Sequence, residues 1–244
     1  MKEYLKNMIE YTSALGFINL IKVTGTDTET NINAIADDRS VIVGGKFKNA
    51  SPDFVGVFGM PNLPKLKTIL SFDEEYGEGA TISMNMTTRD GEQVPDAIHF
   101  ESKNGDFTND YRLMGKATIS EKVKDVTFHG TGWDVEFQPS VQSIQKLKRQ
   151  ASANSEEPVF TVYIKDGNLH FKFGDVNTHS GDFVFESNVS GNLTKKLQFP
   201  VTQVISILNL TGDKTFKITS KGAAEIIVDS GVATYNYLLP AYSK

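Results

Sequence analysis

The sequence predicts an α+β protein of two similar domains, each a β-sheet carrying two helices on one face. Three observations support this. Four segments place their apolar residues at helical spacing, almost all the rest alternates with the period of a strand, and the order of elements occurs twice. Residues 1–116 read helix, four strands, helix, three strands. Residues 140–239 read the same order again, with one strand leading in.

The helices come first. Residues 2–15 align Leu5, Met8 and Ile9. Residues 62–72 (NLPKLKTILSF) align Leu63, Leu66 and Leu70, with Asn62 in the N-cap position and Pro64 in the first turn, where a missing N–H does no harm. Residues 140–151 start at Ser140 after Pro139 and align Val141, Ile144 and Leu147. Residues 200–209 align Val201, Val204, Ile205 and Leu208.

The strongest strand signal is VFTVYIK (159–165) and LHFKFG (169–174) around Asp166-Gly167-Asn168, a hairpin. It sets Phe160, Val162 and Ile164 opposite Leu169, Phe171 and Phe173. Strands are expected near 17–23, 29–36, 40–48, 54–60, 80–87, 96–103 and 108–116 in the first half. In the second they fall near 133–138, 181–187, 192–199, 214–220, 223–229 and 232–239. The stretch 117–132, polar and then glycine-bearing, reads as a connector, so the domains are 1–116 and 133–244.

Composition narrows the class. The chain has 244 residues, 39% hydrophobic and 23% charged, with no apolar run of the ~18 residues that a membrane span needs. The segment MKEYLKNMIEYTSAL carries Glu3 and Glu10 and does not read as a signal peptide, so the expected location is cytoplasmic. Without cysteine there is no disulfide and no thiolate metal site. His99, His129, His170 and His179 lie apart, without metal-ligand spacing, and no phosphate-cradling glycine loop occurs. His170 alternates out of its strand and reads as solvent-facing. The nearest approach to a catalytic set, Asp175, His179 and Asp182, is ordinary loop composition. Neither an enzyme nor a cofactor is expected.

Charge is sorted by element. The four helical segments carry seven Lys or Arg against two Asp or Glu, whereas the whole chain has a net charge of −5. Segments 62–72 and 140–151 contain no acid. Helices that share one face of a sheet would make that face attractive to phosphate while the remainder repels it.

The second half resembles the carboxyl-terminal domain of the sliding DNA clamps, the proliferating-cell-nuclear-antigen family. The features that carry the likeness occur in order: SVQSIQKLKRQ after a strand, the KDGNLHF hairpin, GDFVFES, a helix after LQFPV, then TFKITSKGAAEIIVDS and GVATYNYLLPA. Family members likewise end on a strand and a short tail containing Pro. In the first half the helix 62–72 after FVGVFGM is in the expected place. Residues 17–60 depart from eukaryotic and archaeal clamps, which with the length is most similar to the shorter clamps of large tailed bacteriophages.

The resemblance implies a homotrimeric ring around duplex DNA, with helices lining the hole and sheets outside, acting as a DNA polymerase processivity factor. Its partners would be the polymerase, an ATP-dependent clamp loader, and transcription or repair factors. It implies a DNA-facing set of Lys65, Lys67, Lys146, Lys148 and Arg149, joined by Lys2 and Lys6, with Lys195, Lys196 and Lys221 at the rim. Subunits would join through TNDYRLMG (108–115), with Tyr111 and Leu113, and GDFVFES, with Phe183 and Phe185. Partner peptides would dock between Val126 and Phe128 of the connector and Leu239, Pro240 and Tyr242. The rival reading is a β-rich phage structural or assembly protein that binds protein partners and no DNA.

Overall fold

A computed structural model of the 244-residue chain describes residues 1–89, 91–124, 132–175, 177 and 179–242. The chain divides into two compact units: Met1–Val126 with Ser230–Tyr235, and Thr127–Asp229 with Asn236–Lys244.

The first unit runs α1 (Lys2–Tyr11), β1 (Leu20–Gly25), β2 (Thr30–Ile35), β3 (Ile42–Phe47), β4 (Gly56–Pro61), α2 (Leu63–Leu70), β5 (Thr81–Arg89), β6 (Glu92–Glu101), β7 (Thr108–Arg112) and α3 (Lys116–Lys122). Four strands pair antiparallel in the order β4-β1-β2-β3, and three in the order β5-β6-β7. Reciprocal N–H···O bonds of 2.8 Å between Gly59 and Met114 tie β4 to the segment after β7. Leu5, Met8 and Leu66 are fully buried as α1 and α2 pack together. Tyr4 of α1 meets Phe47 of β3 edge-on at 4.7 Å.

The second unit runs β8 (Val135–Phe137), α4 (Val141–Ala153), β9 (Val159–Lys165), β10 (Asn168–Phe173), β11 (Gly181–Glu186), β12 (Leu197–Pro200), α5 (Val201–Leu208), β13 (Asp213–Thr219), β14 (Ala223–Asp229) and, from Asn236 on, β15 (Ala233–Pro240). Its strand orders are β11-β10-β9-β12 and β15-β14-β13-β8. The β9–β10 hairpin closes with positive φ at both Asp166 (52°) and Gly167 (74°), the turn whose twist matches the strands. The register pairs Phe160 with Phe173, Val162 with Phe171 and Ile164 with Leu169, as the alternation predicts. Phe171 then stacks on Phe185 of β11 at 4.1 Å. No helix among the described residues is long and apolar enough to cross a membrane.

Local chemistry accounts for the departures from sequence expectation. The first helix stops at Tyr11 because Thr12 leaves helical geometry and its hydroxyl donates to the Met8 carbonyl at 2.5 Å; a short 3-10 turn follows at Ser13–Leu15. Asn62 precedes α2 in the left-handed region (φ 54°) and makes no side-chain cap, whereas Ser140 accepts the Ser143 N–H at 3.0 Å as expected. Residues 117–122, read as connector, join Lys116 in α3, because Ile119 is fully buried beside Gly59. A methyl group at Gly59 would lie 2.7 Å from Ile119 Cδ1, so the strand accepts this helix only where a side chain is missing. Strand β12 starts at Leu197 and not near 192, since Lys195 and Lys196 are both solvent-facing and break the alternation.

Candidate functional site

Burial of one stripe decides what each helix offers to solvent. In α2, Leu63, Leu66, Ile69 and Leu70 are buried and leave Lys65 and Lys67 exposed. In α4, Ser143, Ile144 and Leu147 are buried; Lys146 and Arg149 are exposed and Lys148 half-buried. Among the described residues, none of these five cations has a carboxylate partner. Each remains available to an external anion.

Lys2 and Lys6 stand differently. Both reach the carboxylate of Asp73, at 3.4 Å and 3.3 Å, and Lys2 also donates to the Tyr76 carbonyl at 2.6 Å. The bond from Lys6, then that from Lys2, holds the Asp73 carboxyl below its ordinary pKa. Lys6 and Lys67 still border one depression between α1 and α2, with Asp73 and Glu10 beside them.

The two strands expected to join subunits, β7 and β11, are both edge strands, each paired on one side only within its own sheet. Their side chains correct the sequence assignment. Tyr111 is 2% exposed, its hydroxyl donates to the Pro61 carbonyl, and burial pushes its pKa well up. Phe185 is 1% exposed. Both side chains therefore belong to the core, because strand alternation points them inward, while Leu113 and Phe183 are half-buried. The opposite faces carry a His–carboxylate pair in each unit. His99 Nδ1 lies 2.8 Å from Asp110 on β7, and His170 Nδ1 lies 2.9 Å from Asp182 on β11. His170 is thus engaged and not simply solvent-facing. Tyr163 stacks on it at 5.1 Å and donates its hydroxyl to the same Asp182. Desolvation and then the Asp182 bond push the Tyr163 hydroxyl up to about 12. Burial works to raise the Asp182 pKa, but the Tyr163 and His170 bonds outweigh it and hold it low. Among the described residues no group of three His, Asp or Glu side chains is placed to hold a metal ion.

The tail divides its residues between core and surface. Leu239 is fully buried in β15; Pro240 and Tyr242 are exposed. The Ala241 N–H donates to the Gly222 carbonyl and the Tyr242 N–H to the Gln198 carbonyl, each at 2.9 Å. This pins the tail beside β12, where Thr161, Lys172, Gln198, Gly222, Ala241 and Tyr242 help to line a groove of about 590 Å³. Lys195, Lys196 and Lys221 edge it. Val126 and Phe128 lie outside the described residues, as does His129. Sequence reasoning missed Lys172 and placed the other three lysines at the rim of the ring. The only sequence signal was the Lys195-Lys196 doublet entering the strand that the tail adjoins.

No protein-family model matches the sequence, and no similar curated protein is found. Solved structures do match along the whole chain. One shows the C-terminal region of FEN-1 bound to A. fulgidus PCNA: TM-score 0.67, 11% identity, covering 100% of this chain and 97% of that one. PCNA from Thermococcus kodakaraensis matches at TM-score 0.67 and 13% identity, over 98% and 97% of the two chains. Proliferating Cellular Nuclear Antigen from Entamoeba histolytica matches at 0.65 and 10%, over 99% and 94%. The two-unit α+β architecture of this chain is the PCNA-like clamp fold.

Proposed function

We propose that this protein is a sliding clamp: a homotrimeric ring that encircles duplex DNA and tethers a DNA polymerase to its template. One observation carries the reading: a PCNA-like fold over the full chain in which α2 and α4 present five cations with no carboxylate partner among the described residues. Such cations contact phosphate without reading bases, and a ring needs only weak contacts, since topology prevents escape and tight binding would stop sliding. The net charge of −5 disfavours DNA elsewhere on the surface.

In this reading β7 of one protomer pairs with β11 of the next through backbone groups, closing a head-to-tail ring and covering two edges prone to aggregate. The groove beside the tail is the docking place for peptides of the polymerase and of an ATP-dependent loader, which supplies all the nucleotide chemistry. That a matched PCNA holds the C-terminal region of FEN-1 supports peptide docking as a mode open to this fold. The divergence of residues 17–60 supports the bacteriophage type, acting in the cytoplasm of a bacterial host.

The test is retention on DNA of different topology. A ring of mass about three times 26.9 kDa, once loaded with polymerase present, should stay on nicked circular DNA, leave the ends of linear DNA, and extend the products of each polymerase binding event. A monomer that distinguishes neither topology and leaves product length unchanged would overturn the reading and favour an assembly protein.

A further inference from the structure

The groove beside the tail concentrates positive charge. Lys172 reaches it from β10, Lys195 and Lys196 from the segment entering β12, and Lys221 from the turn after β13; Asp175 is the one carboxylate among its described lining residues. The lining is therefore near +3 in a chain of net −5. Two further carboxylates act on it from outside the lining, Asp182 toward Lys172 and Asp134 toward Lys221, and temper this charge without reversing it. The Lys196 ammonium sits over the Tyr163 ring, 5.1 Å from its centre, a contact that steadies it where it lines the groove. The apolar part of the accessible lining is Ala241 and the half-exposed ring of Tyr242, Leu197 being only 4% exposed.

Shape decides between two polyanions. A duplex presents phosphates on a convex cylinder and meets protruding cations; it cannot enter a depression of about 590 Å³. An extended peptide can, since that volume is in the range of sites that enclose a few side chains. We propose that the groove takes an acidic peptide segment bearing one or two large apolar side chains, which seat against Ala241 and Tyr242 while the flanking carboxylates meet Lys195, Lys196 and Lys221. This rests on the docking role proposed above and adds to it the charge, hence the class, of the partner segment.

Three short fluorescent peptides test it: two phenylalanines flanked by four aspartates, the same with four asparagines, and the same with four lysines. By anisotropy at about 50 mM salt the aspartate peptide should bind the intact protein at least about tenfold more tightly than the asparagine one, a gap that closes at high salt. The K195E/K196E variant should reverse the order and favour the lysine peptide, a gain that misfolding cannot produce. Equal affinity for the aspartate and asparagine peptides would overturn the acidic preference and leave apolar docking standing. Binding of none of the three would overturn the docking site as well. An unchanged peptide order in K195E/K196E, with weaker retention on circular DNA, would overturn the proposal and give these lysines to DNA.

Discussion

Tyr235 stacks face to face on Tyr11, with ring centroids 4.9 Å apart and planes 8° from parallel, and its hydroxyl donates to Asn7 Oδ1 at 2.9 Å. Asn7 in turn donates to Ser230 Oγ at 3.2 Å, in the turn before β15. The turn and first residues of the last strand are thus locked to the first helix by two aromatic rings and a hydrogen-bonded chain, deep enough that burial drives the Tyr235 pKa far up. Tyr235→Ala should cost about 3–5 kcal/mol, the usual loss for a large buried aromatic, and Tyr235→Phe about 1 kcal/mol for the bond. Urea denaturation of the two variants measures both.

Lys146 and Arg149 have no carboxylate partner among the described residues, so their charge is available to the duplex of the proposed function. Lys146→Glu with Arg149→Glu should weaken salt-dependent association, reducing the slope of log affinity against log salt by about 2, with an unchanged urea midpoint. Titration of binding across salt concentrations reads the slope, and an unaltered slope would remove α4 from the DNA path.

Asp73 restrains Lys2 and Lys6. Asp73→Asn should release both and strengthen DNA association, the opposite sign to the α4 variant. Because Asp73 is 70% exposed, stability should hardly change. Competition between the two proteins for one labelled duplex measures the gain.

Gly59 admits Ile119 by lacking a Cβ. Gly59→Ala should cost about 1–3 kcal/mol by overpacking, and Gly59→Ala with Ile119→Ala should recover part of that loss relative to the sum of the single changes. Strict additivity in a double-mutant cycle would mean that α3 does not pack where the strand leaves room.

Asp182 supplies a pH signature. Its carboxyl titrates below its ordinary value when folded, so the stabilisation is present above the unfolded pKa of about 4 and is lost as pH falls through the folded pKa. Thermal unfolding midpoints should drop below about pH 4, and Asp182→Asn should flatten that acid limb while bringing the Tyr163 hydroxyl down from about 12. Melting curves across pH test the first, ultraviolet titration of tyrosine the second.

The helices, the β9–β10 register and the repeated element order were legible because each is written in local periodicity: one apolar stripe per helix, one alternating run per strand, and an Asp-Gly pair that tolerates two positive φ values. α3 was not legible, since seven residues hold barely two turns and the glycine that receives Ile119 lies 60 positions earlier. The basic faces of α2 and α4 followed from sequence as well, for the buried stripe fixes what remains outside.

Other assignments depended on distant partners. Lys2 and Lys6 share a carboxylate some seventy positions away, Tyr111 and Phe185 turn into the core, Leu239 is fully buried, and lysines from β10, the segment entering β12 and the turn after β13 gather around one groove. By itself the sequence determined which segments coil or extend and which sign of charge each surface carries, because those depend on near neighbours. Only the tertiary structure decided which charges neutralise one another and which collect, because that depends on where packing of apolar faces brings remote strands to rest.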